Sequence, residues 1–127
     1  DIVERLHVTG DCFISLERGA AWNLPAFYAA AYGNWCIVNG WGGQSQFLRP
    51  ENGILLNYAM TPVYGMSTCP YTNLYTAREY WAEADKEQFK VEMKKAYDTK
   101  PVGNPGTLFK EFSYENAGRK IEQILHA

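Results

Sequence analysis

Cysteine is scarce in this 127-residue chain and histidine scarcer, with three of the first and two of the second. Cys12, Cys36 and Cys69 lie too far apart for a zinc-ligand spacing, and an odd number without close pairs builds no disulfide framework. Cys12 and Cys36 stand in apolar runs, where a free thiol behaves as a small hydrophobe. His7 and His126 have no Asp, Ser or Cys beside them in a catalytic pattern, so no base–nucleophile constellation is visible. No apolar run approaches the roughly 20 residues of a membrane-spanning helix. No basic-then-apolar leader opens the sequence, and a cytoplasmic address is the default expectation. Charge of either sign is not in excess: 12 Lys+Arg stand against 14 Asp+Glu, net -2, without the basic surface a nucleic-acid module presents.

What is present is ordinary globular composition with one skew. The length suits one domain over residues 1–127, since two halves would be too small for good cores. Hydrophobic residues at 46% and charged residues at 20% exclude disorder, collagen and coiled coil. The skew is aromatic content, 15%, which either fills a core or lines a ligand cleft.

Along the chain, Ile2–His7 reads as the end of a helix, broken by Thr9-Gly10-Asp11. Cys12–Leu16 is an apolar run of strand length, expected to be buried on both faces. Asn23 is placed to cap an Ala-rich helix from Leu24 to about Tyr32, with Pro25 in its first turn and Gly33-Asn34 as its stop. Trp35–Val38 is a second strand. A short helix, Gln44–Leu48, ends at Pro50, and Gly53–Asn57 is a third strand. Strand, helix, strand, helix, strand is the signal for parallel β-structure with helical crossovers. Tyr58 to about Tyr75 reads as irregular. Asp85 then caps a helix with Gln88 at the capping-box position and Phe89, Met93, Ala96 and Tyr97 on one face. Lys100–Gly106 is a linker, and Ser113 caps a last helix whose face is Ala117, Ile121, Ile124 and Leu125.

Two glycine-bearing loops, Gly19–Asn23 and Gly40–Gly43, each follow a strand and precede a helix. Ligands of open parallel sheets bind beyond the carboxyl ends of the strands, where helix N-termini offer N–H groups to phosphate. Tight turns alone also explain such glycines. Glu17-Arg18 is either an active-site pair or a solvated one. The aromatics between Tyr58 and Tyr80 either stack on a ring ligand or pack over the sheet end.

The stretch Ser15-Leu16-Glu17-Arg18-Gly19-Ala20-Ala21-Trp22-Asn23-Leu24-Pro25 through Gly33 resembles the C-terminal domain of retaining GT-B glycosyltransferases of the glycogen-synthase-like type. In that family the stretch reads roughly S-x-x-x-G-E-G-W-G-L-P-x-x-E-A-M-A-x-G. The likeness continues through Gly40-Trp41-Gly42-Gly43, Asn52-Gly53, Trp81–Asp85 (family W-A-x-P-D) and Phe112-Ser113-Tyr114. It covers nearly the whole chain in order. It implies an α/β, Rossmann-like three-layer domain with a small parallel sheet, like the latter part of a GT-B C-terminal domain. Its core would be at least three parallel strands with helices on both faces, and two helices would form the tail.

By the same resemblance, the donor-binding candidates are Gly19, Ala20, Trp22, Asn23, Leu24, Tyr28, Gly42, Gly43, Gln44 and Gln46. Family acids are replaced at three of these. The two Glu of the loop and helix, one by the donor sugar and one on the ribose, correspond to Ala20 and Tyr28, and the acid after the Gly-Gly loop to Gln46. The Trp22 flanks, glycine in the family, are Ala21 and Asn23. A carboxylate on ribose hydroxyls makes charge-assisted hydrogen bonds of about 1.5–3 kcal/mol, so donor binding is expected to be weakened and Tyr28 to fill part of the ribose pocket. No catalytic residue, metal or cofactor is expected. The family's acceptor domain and its phosphate-binding Arg and Lys would lie upstream of this stretch. The expected function is therefore a glycosyltransferase-like domain, a fragment or degenerate relative of a nucleotide-sugar-dependent enzyme. The alternative is a non-catalytic binding or assembly module. Expected partners are a nucleotide sugar and either a missing N-terminal domain or a second copy, because a small parallel sheet leaves edges to pair.

Overall fold

The computed structural model describes residues 2–64, 75 and 78–126. The protein has an α/β, Rossmann-like fold: a three-stranded parallel sheet interleaved with helices, and a small antiparallel hairpin. The sheet is β1 (Cys12–Ser15), β2 (Trp35–Asn39) and β3 (Gly53–Leu56), in that spatial order. Helix α1 (Ile2–Thr9) precedes it, α2 (Leu24–Ala31) joins β1 to β2, and a 3-10 turn at Gly43–Gln46 lies on the way to β3. The hairpin pairs β4 (Tyr58–Pro62) with β5 (Tyr80–Ala84). Then come α3 (Lys86–Thr99), a single turn α4 (Leu108–Glu111), and α5 (Tyr114–Leu125).

Alternation along β2 divides the core. Cys36 and Val38 point into a cluster with Ala26, Ala29, Ala30, Phe47, Leu48 and Leu108. Ile37 points the other way, with Leu56, Ala84 and Ala96. Helix α2 thus covers one face and α3 the other, as a parallel sheet requires. The alanines of α2 are small enough to let the helix lie close on the sheet. Trp22 closes the α2 side, its ring 5.2 Å from that of Phe47 and 5.0 Å from that of Phe112.

Three local expectations correspond to real caps. Asn23 Oδ1 accepts from Ala26 N at 3.2 Å, although Asn23 is left-handed (φ 60) rather than extended. Asp85 Oδ1 accepts from Glu87 and Gln88 N at 3.0 Å, and Ser113 Oγ from Asn116 N at 3.1 Å. Gln88 does not return to its own cap. Its Oε1 accepts from Asn57 N at 2.7 Å, tying α3 to the end of β3.

Five expectations need correction. Tyr58–Pro62 is a strand, not irregular chain, because β5 supplies a partner from far along the sequence; residues 65–74 of the same stretch, Cys69 among them, lie outside the described residues. Strand β1 is not buried on both faces. Ile14 is 41% exposed because α3 lies over β2 and β3 and leaves the edge strand open. The short helix after the Gly-Gly loop begins at Gly43 and is 3-10 in form. On the α3 face only Ala96 is buried, and Tyr97 is exposed. The tail also carries the single turn α4 beside the two helices expected there.

Candidate ligand cleft

The hairpin is fastened across the carboxyl end of the sheet. Ala82 N donates to Arg18 O at 3.1 Å, and Asp85 N to Asn57 O at 2.8 Å. Between them lies Asn39, the last residue of β2 and fully buried. Its Nδ2 donates to Glu17 O at 3.0 Å and to Ala82 O at 2.8 Å, so one side chain joins the loop after β1 to β5. Ala82 and Ala84 are buried, whereas Trp81 and Glu83 share the other face of β5.

This arrangement encloses a cleft of about 810 Å³. Its floor is Leu16–Gly19, directly after β1, with Trp41, from the loop after β2, beside it. Its far wall is the hairpin with Tyr80, Trp81 and Glu83, and Lys86 at the start of α3. The position is the one where open parallel sheets take ligands, and the size is that of a small-molecule site. Arg18 is held twice over: its Nε meets Glu83 Oε2 at 2.6 Å, and its guanidinium carbon lies 4.1 Å from the centre of the Trp81 ring. Hydrogen bonds from Arg18 and Lys86 hold the Glu83 carboxyl below the usual carboxylate range.

The structure distributes the ten donor-binding candidates widely. Gly19 lines the cleft. Ala20 O accepts from Gly43 N at 3.1 Å, and the Gly42-Gly43 backbone lies directly on the backbone of Ala20–Trp22. Those glycines let two loops touch. Trp22 belongs to the aromatic core and Asn23 to the α2 cap. Leu24 is exposed on α2. The Tyr28 ring packs against Phe27 and Phe109, away from the cleft lining. Gln44 is fully buried, its Nε2 donating to Asn39 O at 2.9 Å. Gln46 is exposed.

Trp41, Trp81, Glu83 and Lys86 were not among those candidates, and each lines the cleft. A signal for part of them was present. Tyr80–Ala84 alternates small alanines with Trp81 and Glu83, a strand pattern that puts those two side chains on one face. Elsewhere the described residues offer little reactive chemistry. Burial pushes the Cys36 thiol up to about 12 and raises that of Cys12, so neither is a thiolate nucleophile at neutral pH. Among the described residues no cluster of His, Cys, Asp and Glu is placed to hold a metal ion, and no helix is long and apolar enough to cross a membrane.

No family model, no curated protein and no solved structure matches this chain.

Proposed function

We propose that the chain is a glycosyltransferase-like domain that binds a sugar in the cleft beyond β1 and β2 and, alone, does not transfer it. The observation that carries this reading is the composition of the cleft at that position. Trp41 and Tyr80 offer aromatic surface for the C–H face of a sugar ring, and Glu17 offers acceptors for its hydroxyls. Absence of transfer follows from the positions where the resemblance expects acids. Ala20 presents a methyl group and spends its carbonyl on Gly43, and Tyr28 packs its ring on Phe109. Calorimetric titration with free sugars and with UDP, GDP and ADP sugars tests both parts. A glycosyl ligand is expected to bind, and Trp41→Ala to weaken it about tenfold, the equivalent of ~1.4 kcal/mol of ring packing. Silence from every sugar sinks the binding claim, and turnover above a boiled control sinks the claim of no transfer.

A second reading, assembly, is favoured by a different observation. Ile2, Leu6, Ile124 and Leu125 on α1 and α5 are each at least 66% exposed. The edge strand β1 also leaves a groove of about 400 Å³ against α3, lined by Cys12, Ile14 and Met93. Unpaired edges and exposed apolar faces are what a two-fold dimer buries. Sedimentation at micromolar concentration is expected to give twice the 14.4 kDa monomer mass, and a monomer there refutes the assembly reading.

A further inference from the structure

Among the described residues, both cations that line the cleft are committed to one carboxylate. Arg18 Nε meets Glu83 Oε2 at 2.6 Å, and Lys86 Nζ meets Glu83 Oε1 at 3.2 Å. The two oxygens of Glu83 are therefore bound by two different residues, one from the loop after β1 and one from the start of α3. The Trp81 ring under the guanidinium limits where Arg18 can swing. A guanidinium and an ammonium gripping two oxygens of one group is how proteins hold phosphate. Here the oxygens come from the wall of the cleft itself. Among the described residues that line the cleft, Glu17, Glu79 and Glu83 outnumber Arg18 and Lys86.

We propose that Glu83 makes this cleft selective for an uncharged sugar ring and excludes phosphate, by filling with its own carboxylate the anion site that Arg18 and Lys86 form. The ligand class rests on the sugar-binding reading above; the exclusion of phosphate rests on the ion pairs alone. An entering phosphate must displace Glu83 and then stand beside the displaced carboxylate, with like charges opposed in a partly enclosed space. An uncharged ring has no need of the anion site and leaves the Glu83 ion pairs in place. It lies against Trp41 and takes hydroxyl partners from Glu17. In a sugar nucleotide, the ring enters this cleft and the diphosphate stays outside it.

The test removes the charge and keeps the shape. Inorganic pyrophosphate and, separately, glucose, galactose and N-acetylglucosamine are titrated at low salt into the chain and into Glu83→Gln. Glu83→Ala serves as a second variant, and melting curves establish which variants are folded. Pyrophosphate is expected to bind the variants at least tenfold more tightly than the parent chain. That gain is expected to shrink with added salt and to vanish in Arg18→Met/Glu83→Gln. A gain below tenfold in the folded variants, or one that survives loss of Arg18, overturns the exclusion of phosphate. If the gain appears but no sugar binds either protein, the sugar reading falls and the anion gate stands. If a sugar binds and the gain is missing, the gate falls and the sugar reading stands.

Discussion

Gly43→Ala is expected to destabilise the protein by about 3 kcal/mol or more, enough to leave a small domain close to unfolding. A Cβ at Gly43 would lie 2.6 Å from Trp22 Cα and 2.8 Å from Ala21 C, and closer still to Ala21 O. All three obstacles are backbone, so no side chain can rotate out of the way. Relief requires the two loops to separate. That breaks the Gly43 N to Ala20 O hydrogen bond and draws Trp22 off Phe47 and Phe112. Gly19 is the internal control. A Cβ there meets nothing within 4 Å, so Gly19→Ala is expected to change stability by no more than about 0.5 kcal/mol. Urea unfolding of the two variants separates a packing role from a ligand-cradling one. A Gly43→Ala protein as stable as the parent contradicts the packing account and returns the Gly-Gly loop to the ligand.

That contrast marks where the sequence was legible. Local signals carried through: Asn23, Asp85 and Ser113 cap the helices they precede, because a cap acts over three residues. The strand–helix alternation of the first half also carried through, because each of those strands is a short apolar run whose neighbours in space are its neighbours in sequence. Partners distant in sequence were not legible. Met60-Thr61-Pro62 has little strand character alone and becomes a strand by pairing with Tyr80–Ala82. Gln88 has the spacing of a capping box, yet its Oε1 accepts from the backbone N–H of Asn57, while the Asp85 N–H donates to Asn57 O.

The cleft shows the same division. Its floor, Glu17-Arg18-Gly19, stands in the loop the sequence singles out, but Trp81, Glu83 and Lys86 come from more than sixty residues away; the alternation of Tyr80–Ala84 puts Trp81 and Glu83 on one face of a strand without saying that this face meets the floor. Glycines at Gly42 and Gly43 have one sequence signature whether a loop approaches a phosphate or another loop. Only the position of Ala20–Trp22 decides between the two.

Asn39→Asp is expected to cost about 4 kcal/mol at neutral pH, from one atom of difference. Asn39 is fully buried, both hydrogens of its amide are used on Glu17 O and Ala82 O, and its Oδ1 has no partner. A carboxylate in that place turns an oxygen toward two carbonyl oxygens and buries a charge with no cation on it. Burial and the facing carbonyls raise the folded-state pKa of the new Asp above its unfolded value of about 3.9. Below that unfolded value both states are protonated, and a neutral Asp can still donate one O–H to one of the carbonyls. As pH rises past it, the unfolded state releases its proton and the folded state does not. The penalty then grows by about 1.4 kcal/mol per pH unit until the folded state ionises as well. Asn39→Leu removes the same two donors without a titrating group, so its cost of about 3 kcal/mol is expected to be flat with pH. Urea unfolding from pH 4 to 8, with the parent profile subtracted, checks both. A flat difference for Asn39→Asp means that the side chain has reached solvent, and the seam between the loop after β1 and the hairpin is then looser than its two hydrogen bonds require.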